Sequence, residues 1–391
     1  MTTTGTITAD VAIVGAGIVG VSTALELVRR GKRVVVLERW MIGAEASSRN
    51  AGGVRQQGRA WQEMPMAKMA VGMWSKLDTS VRRPTGYLQC GHVYVAENQA
   101  ELDQLGVQRS QERQLGLDTE LIDAAELRRL APGINPDLPG AKLCPTDGVA
   151  EPARATSAIA AAAEEEGATI LCHTLVTGIG QANGRITHVD AGTIRVEAPV
   201  VLDAAGPWAP YVAQMAGVYL PIFPSRLASV RTKPMPLLTH VFVQTFAYDF
   251  GGVQYADFSV RVGSGADKAN VDRFTFDRTF RADRELAISD RARYIFPALA
   301  GAELVGGWAG TRECTPDMMP IMGPVGGPEG FFVAAGFSGH GFCIGPAAGR
   351  LMAEWIVDGA PSLDLSAFSW RRFMRPEGPL TVVQATPEQA G

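Results

Sequence analysis

Short apolar runs separated by glycine turns dominate the first forty or so residues. Residues 10–14 form a brief apolar run that stops at Gly15, which predicts a buried strand. Residues 18–30 have helical periodicity and end at Gly31, a natural C-cap, and residues 33–37 predict a second buried strand. Strand, glycine turn, helix and strand in this order make a βαβ unit with parallel strands.

A similar pattern returns further along the chain. A helix is predicted from Glu151-Pro152 to Gly167, followed by strands over residues 169–172 and 200–204. Residues 330–335 predict another strand, and residues 346–357 a helix with Pro346 at its first position. One face of that helix is apolar and consists of Ala348, Leu351, Met352, Trp355 and Ile356. We expect these elements to extend the first sheet.

Two intervening segments have a different character. Residues 82–146 are polar and rich in Gln and Arg, with helical and turn signals but no α/β alternation. Residues 217–311 contain alternating runs, such as 241–243 and 258–262, that are typical of antiparallel strands. The expected fold is therefore α/β: a Rossmann-like nucleotide-binding domain with a second, discontinuous α+β domain built on an antiparallel sheet. We assign residues 1–81, 147–216 and 312–391 to the first domain, and residues 82–146 and 217–311 to the second.

Composition excludes several classes of partner. The 36 basic residues against 40 acidic ones, with a formal net charge of −4, form no basic stripe for nucleic acid. Five scattered cysteines without a C-x-x-C pair predict neither a disulfide framework nor a metal site, and they fit a reducing compartment. No signal peptide and no transmembrane run are evident, so we expect a cytoplasmic protein.

The sequence G-A-G-I-V-G, from Gly15 to Gly20, is a G-x-G-x-x-G pattern between a predicted strand and helix. Gly15 permits the tight turn, Gly17 lets a pyrophosphate approach the backbone, and Gly20 allows the helix to pack closely on the strand. The helix begins at Ile18 and Val19, so its N-terminus faces the phosphate charge. The pattern predicts a bound dinucleotide.

Glu38 ends the second predicted strand, where its carboxylate can bind a ribose hydroxyl and would repel a 2′-phosphate. These motifs alone do not separate FAD from NAD. Residues 47–55, with the sequence S-S-R-N-A-G-G-V-R, are rich in small residues and backbone donors. A solvated loop is the alternative that composition alone leaves open.

Four segments together resemble the D-amino-acid oxidase family, which includes glycine oxidase, sarcosine oxidase and its β-subunit relatives. They are residues 47–55, 204–209 (A-A-G-P-W-A), 310–317 (G-T-R-E-C-T-P-D) and 336–342 (G-F-S-G-H-G-F), in the family's order. The resemblance touches almost the whole chain and implies an FAD-binding domain and a small amine or amino acid as substrate. Besides the glycine turn and Glu38, it places at FAD Arg39, Ser47, Ser48, Asn50, Ala51, Gly52, Gly53, Val176, Ala205, Gly206, Trp208, Gly339, His340, Gly341 and Phe342.

The last of these segments has a physical interpretation of its own. Gly339, Gly341 and Gly345 bring backbone N–H groups close to a ligand, and the helix after them would point its N-terminus at the flavin ring. A partial positive charge there favours the reduced flavin. His340 either adds to this charge or braces the loop, and the sequence leaves both roles open.

Arg312 is our main candidate for binding the substrate. In relatives with this G-x-R turn the arginine pairs with the substrate carboxylate, for which a planar guanidinium is well suited. An ordinary structural arginine is the alternative. The resemblance ranks Arg55 second, and Tyr255 either lines the substrate pocket or belongs to the core.

The chain departs from the sarcosine-type members at two places. Gly310 stands where they tether FAD to a cysteine, which predicts noncovalent FAD and a packing role for Cys314. Cys343 stands where they often have a lysine, so the residues that bind the substrate carboxylate must differ. Arg261 is a loose match to their basic residue over the flavin, which leaves the electron acceptor open.

The function that this resemblance implies is oxidation of a C–N bond by hydride transfer to flavin N5, giving an imine that hydrolyses. N-methyl amino acids, cyclic imino acids, opines and D-amino acids are the candidate substrates. One rival is an NAD(P)H-dependent flavoprotein reductase, although a second βαβ fingerprint is missing from the sequence. Another is a flavin-bearing, β-like subunit of a larger amine or opine dehydrogenase, and the chain could also form a homo-oligomer.

Overall fold

The computed structural model describes residues 5–264, 282–375 and 378–379. The strands in these ranges are β1 (Gly5–Thr8), β2 (Val11–Val14), β3 (Val34–Leu37), β4 (Gly53–Val54), β5 (His92–Ala96), β6 (Glu120–Asp123), β7 (Gly140–Cys144), β8 (Gly148–Val149), β9 (Thr169–Leu171), β10 (Gly178–Ala182), β11 (Arg185–Ala191), β12 (Ile194–Glu197), β13 (Val200–Asp203), β14 (Phe223–Pro234), β15 (Phe242–Thr245), β16 (Phe250–Gln254), β17 (Ser259–Ser264), β18 (Leu304–Cys314), β19 (Ile321–Pro324), β20 (Phe331–Ala335), β21 (Met374–Arg375) and β22 (Gly378–Pro379).

The helices are α1 (Ile18–Val28), α2 (Ala46–Arg49), α3 (Met64–Val81), α4 (Gln99–Gln114), α5 (Ala124–Leu130), α6 (Pro152–Glu165), α7 (Ala209–Met215), α8 (Ala282–Ile295) and α9 (Gly341–Asp358). Short 3-10 turns span Gly206–Trp208, Pro297–Gly301, Ser366–Phe368 and Trp370–Phe373. Of the helices in the described ranges, none combines the length and the apolar character that a membrane span needs.

Six strands form a largely parallel sheet in the order β19-β20-β13-β2-β3-β9. β2 and β3 are buried along their whole length, because both faces of the sheet are covered. Helices α1, α6 and α9 pack on one face, and α7 with the strands β10, β11 and β12 on the other, which favours continuous β-branched runs. Val14 pairs with Leu37 on one side and with Asp203 on the other. The carboxyl ends of β2, β3 and β13 therefore meet at one edge, the place where open α/β sheets bind ligands.

Eight strands form the second large sheet, in the order β18-β14-β17-β16-β15-β5-β7-β6. Neighbouring strands are antiparallel except β15 and β5, which pair in parallel. The expected fold class, a Rossmann-like unit with an α+β unit on an antiparallel sheet, is thus confirmed. Smaller sheets are formed by β1-β12-β11-β10, β4-β8 and β21-β22.

The two large sheets draw on alternate segments of the chain. The strands of the six-stranded sheet lie within 1–81, 147–216 and 312–391, and those of the eight-stranded sheet within 82–146 and 217–311, except that β18 crosses residue 311. The exact domain boundaries stay a prediction.

The prediction that residues 82–146 lack α/β alternation is wrong. This segment runs β5-α4-β6-α5-β7. The helix α4 has an almost wholly polar sequence and buries only Leu105 and Glu112, so it shows no apolar stripe. The strand β6 buries only Ile122 and shows no alternation either.

The prediction for the last helix also needs a correction. α9 begins at Gly341, so Pro346 lies inside the helix rather than at its first position. Gly345, which the sequence analysis placed in the loop before this helix, serves helix packing instead. A Cβ on Gly345 would lie 2.8 Å from the Ile18 side chain, and one on Gly349 2.5 Å from the Ser22 side chain. These two glycines let α9 pack closely against α1.

Candidate functional site

A turn of small residues joins β2 to α1 at the sheet edge where the three strand ends meet. Gly15 has a φ of 104°, which favours glycine, and a Cβ on it would lie 2.5 Å from the Ala204 carbonyl oxygen. A Cβ on Gly20 would lie 2.1 Å from the Gly15 carbonyl oxygen. Gly17 is the N-cap of α1. The three glycines therefore bring α1, the turn and the end of β13 close together.

Ser47 approaches the start of α1 from the next segment of the chain. Its Oγ accepts a hydrogen bond from the Ile18 amide at 2.9 Å. Val19 and Gly20 are also first-turn residues, whose amides have no acceptor within the helix. This helix end thus carries the partial positive charge and amide donors that bind an anion.

The carboxylate of Glu38 is fixed by two backbone amides. Its Oε2 accepts from Ala16 and its Oε1 from Trp40, both at 2.8 Å. Each oxygen keeps a further lone pair, and Glu38 lines the cavity at the sheet edge. The side chain is therefore oriented to accept from a pair of hydroxyls.

Arg39 lies between two indole rings beside Glu38. Its guanidinium is 4.4 Å from the ring centre of Trp40 and 4.7 Å from that of Trp208, and the indoles meet edge to face. Val176 lines the same part of the cavity. Flat, largely apolar surfaces of this kind suit a purine ring.

The small-residue stretch after Ser47 is held by one asparagine. Asn50 donates from Nδ2 to the Ala46 carbonyl at 2.8 Å and accepts from the Gly52 amide at 2.8 Å. Ser47 and Asn50 line the cavity. Other residues of this stretch that the resemblance placed at FAD lie outside the lining, as does Gly20: Ser48, Ala51, Gly52 and Gly53.

The cavity has a volume of about 930 Å³ and reaches β18 and the start of α9. Beyond the residues described above, its lining includes Ala205, Gly206, Gly310, Thr311, Arg312, Glu313, Gly339, Gly341 and Phe342. The structure thus brings together residues from four of the five segments into which the sequence analysis divided the chain, namely 1–81, 147–216, 217–311 and 312–391. Such a volume lies near the upper end of ordinary small-molecule sites.

Arg312 is a half-buried cation that lines this part of the cavity. A Cβ on Gly339 would lie 2.8 Å from its Nη1, so the guanidinium lies against the glycine turn before α9. Its Nε is buried and has no hydrogen-bond partner within the described residues. The hydroxyl of Thr311 is likewise buried and without a hydrogen-bond partner within the described residues. Unpartnered buried donors in a cavity wall are candidate contacts for a ligand.

His340 contacts a carboxylate rather than the cavity lining. Its Nδ1 lies 3.0 Å from Oε2 of Glu63, whose side chain is 1% exposed. Burial lowers the pKa of His340 to about 4, although Glu63 opposes this. A neutral imidazole that donates Nδ1–H to Glu63 accounts for both, which supports the bracing role more than a charge at the ring.

Arg55 and Tyr255 also lie outside the residues that line the cavity. Arg55 donates to the Gln57 carbonyl at 2.7 Å, and its own carbonyl accepts from the thiol of Cys343 at 3.3 Å. Tyr255 packs with Val149 and other apolar side chains beneath the guanidinium of Arg231, 5.3 Å away. Its position fits the core interpretation.

A family model described as FAD dependent oxidoreductase (DAO) matches residues 10–355. The chain belongs to this family. Among its relatives, glycine oxidase of Geobacillus kaustophilus (strain HTA426) is 29% identical over 374 residues, which covers 93% of this chain and 97% of the relative. Human mitochondrial sarcosine dehydrogenase is 28% identical over 94% of this chain but only 41% of its own length. The crystal structure of L-proline dehydrogenase from P. horikoshii superimposes with a TM-score of 0.88 at 29% identity, covering 94% and 98% of the two chains.

The oxidoreductase uses FAD, and its cavity fits that cofactor. The first turn of α1 could hold the pyrophosphate, Glu38 the adenosine ribose, and Arg39, Val176 and Trp208 the adenine. Thr311 and Arg312 offer unsatisfied donors at β18. These assignments rest on placement in the cavity and stay predictions.

Several cavity residues of the oxidoreductase were missed from the sequence. Glu313 lies between the predicted Arg312 and the T-P-D motif, so its position next to a recognised motif could have drawn attention to it. Tyr211 and Leu227 had no such signal, because they reach the cavity only through the packing of α7 and β14.

Proposed function

We propose that this oxidoreductase oxidises the C–N bond of a small amine or amino acid, such as an N-alkyl amino acid, an imino acid or a D-amino acid. Bound FAD would accept a hydride at N5 from the carbon next to nitrogen, and the resulting imine would hydrolyse in water. The names of the relatives support an amino-acid substrate, since they act on glycine, sarcosine and L-proline.

The position of Arg312 carries the proposal. Its guanidinium lies in the cofactor cavity, its Nε has no partner among the described residues, and no described carboxylate forms an ion pair with it. A planar cation of this kind binds a carboxylate with two parallel hydrogen bonds. Holding the substrate by its carboxylate fixes the reacting carbon, and orientation supplies a large part of such catalysis.

The test is anaerobic bleaching of the bound flavin by sarcosine, proline, an opine and a D-amino acid. Each amino acid that bleaches is paired with the amine of the same skeleton that lacks the carboxylate. Arg312→Ala should lower kcat/KM for the amino acid about 10- to 150-fold, the value of a charged hydrogen bond, and leave the amine unaffected. Arg185→Ala, which changes an exposed arginine paired with Glu329, is the control.

Unchanged kinetics in Arg312→Ala would remove this residue from the mechanism. If none of the four classes bleaches the flavin while NADH does, the protein is a reductase. Admission of air after bleaching separates an oxidase from a dehydrogenase.

A second candidate function is that of a flavin-bearing subunit or module. It is supported by the short part of some longer relatives that this chain spans. The chain spans less than half of human sarcosine dehydrogenase and 44% of the mouse pyruvate dehydrogenase phosphatase regulatory subunit, to which it is 28% identical. Flavin that is reduced only after a partner chain is added would favour this candidate.

A further inference from the structure

A buried carboxyl group lies in the wall of the FAD cavity. Glu313 follows Arg312 on β18, is 8% exposed and lines the cavity. Its Oε1 accepts from the Phe337 amide at 3.4 Å. Oε2 points toward the turn after β13, where a Cβ on Gly206 would lie 3.6 Å away. This oxygen has no hydrogen bond with another residue of the described chain.

A short series of contacts connects this carboxyl group to the glycine turn at Gly15. Gly15 contacts Ala204 and Ala205, since its Cβ would lie 2.5 Å and 3.0 Å from their atoms. Gly206 follows directly and faces Glu313. The carboxyl therefore borders the section of cavity next to the turn that receives the pyrophosphate. An ionised carboxylate there would repel a dinucleotide with two negative phosphates.

We propose that Glu313 binds FAD as a neutral carboxylic acid, donating a hydrogen bond from Oε2 to an oxygen of the ribityl–pyrophosphate section. FAD binding then takes up a proton wherever the free protein has Glu313 ionised, and affinity falls as pH rises. The inference concerns the cofactor, so it holds or fails independently of the proposed substrate.

Burial supports this assignment, because it raises the pKa of Glu313 to about 7 against the opposing effect of backbone amides and Arg312. Charged and titratable groups on the surrounding elements are Arg312 and Cys314 on β18, Arg226 on β14, Asp203 at the end of β13 and His340 after the Phe337 turn.

Most of these neighbours do not change charge between pH 6 and 8.5. The arginines stay charged, His340 with a pKa of about 4 stays neutral, and burial raises the pKa of the Cys314 thiol. Asp203 is the exception to control, since burial raises its pKa well above the usual range and its Oδ2 has no partner in the described chain.

The experiment titrates apo-protein with FAD between pH 6 and 8.5. In the wild type the Kd should rise at least about tenfold over this range, and calorimetry in buffers of different ionisation enthalpy at pH 8 should show uptake of about one proton. Glu313→Gln keeps a donor and loses the charge, so its Kd should stay near the acidic wild-type value with no proton uptake. Glu313→Ala should bind more weakly at pH 6 and also without pH dependence.

Two matched variants complete the test. Glu303→Gln removes an exposed carboxylate near the start of the same strand and should keep the wild-type pH dependence. Asp203→Asn should keep it as well. A flat wild-type profile, a pH dependence that survives in Glu313→Gln, or its loss in Asp203→Asn would each overturn the proposal.

Discussion

The Arg49 side chain fills the space beside Gly310. A Cβ on Gly310 would lie 2.8 Å from Cβ and 3.0 Å from Cδ of Arg49. Arg49 is fixed there, since its Nε donates to the Ala44 carbonyl at 3.0 Å and its Nη1 to the Ala309 carbonyl at 2.9 Å. Residue 310 therefore has no room for the cysteine that tethers FAD in sarcosine-type relatives, which supports noncovalent FAD.

The first prediction concerns Gly310→Cys. The new side chain must displace Arg49, so we expect a loss of about 1–3 kcal/mol in stability and no flavin attachment. Thermal unfolding measures the first effect, and acid precipitation the second, with all flavin in the supernatant. Gly306→Cys is the control on the same strand, because nothing lies within 4 Å of its Cβ position. Flavin that stays with the precipitated Gly310→Cys protein would show that the Arg49 side chain moves aside at little energetic cost.

The second prediction concerns Glu38. Removing its carboxylate in Glu38→Ala leaves the amides of Ala16 and Trp40 without their acceptor and removes the partner proposed for the ribose. We expect FAD affinity to fall about 10- to 150-fold, corresponding to about 1.5–3 kcal/mol, as measured by quenching of flavin fluorescence. The exposed Glu164→Ala should bind FAD like the wild type. Equal affinities of the two variants would exclude Glu38 from cofactor binding.

The parts of this fold that follow from local chemistry could be predicted from the sequence. The turn at Gly15 and the position of Glu38 at the end of the second strand lie within one βαβ unit, so strand pattern and glycine spacing were sufficient. The start of α9 could not be predicted in this way. Gly345 is small because Ile18 packs against it, and a tertiary reason of this kind leaves the same mark in the sequence as a loop.

Other features of the site could not be predicted because they depend on contacts between segments that are far apart in the sequence. Glu63 contacts His340 across most of the chain, and Arg49 reaches Ala309 in a similar way. Neither pairing has a spacing rule, because each depends on how β18 and α9 dock on the first βαβ unit.

The third prediction concerns a buried ion pair between α4 and the eight-stranded sheet. Nζ of Lys142 lies 2.8 Å from both carboxylate oxygens of Glu112, and the lysine side chain is fully buried. Lys142→Met would leave the buried Glu112 carboxylate without its cation, although the Gly58 amide and the Thr119 hydroxyl still donate to it. We therefore expect a loss of about 3–5 kcal/mol in unfolding free energy. Adding Glu112→Gln should restore a large part of it. Denaturant unfolding of the single and double variants measures both effects.

An exposed pair provides the comparison for that experiment. Arg129 and Glu126 form a bridge of 2.6 Å on the surface of α5. Arg129→Met should cost far less than Lys142→Met, because solvent screens exposed pairs. Similar losses in Lys142→Met and Arg129→Met would mean that water reaches Glu112 in the folded protein.

The fourth prediction concerns the pH dependence that His340 contributes. Burial lowers its pKa from 6.5 to about 4 in the folded protein. Between these values the unfolded chain binds a proton that the folded protein does not, so acidification from pH 6.5 to 4 should destabilise the wild type, by up to about 3 kcal/mol from this group. In His340→Asn this contribution is absent, and the stability difference between wild type and variant should shift accordingly across this range.

Urea unfolding at half-unit steps between pH 4.5 and 7 checks this expectation. His240→Asn serves as the control, because it removes an exposed imidazole. If the wild type instead gains stability relative to His340→Asn as the pH falls, the imidazole is protonated in the fold, and His340 would carry the positive charge beside the cavity that the sequence left open.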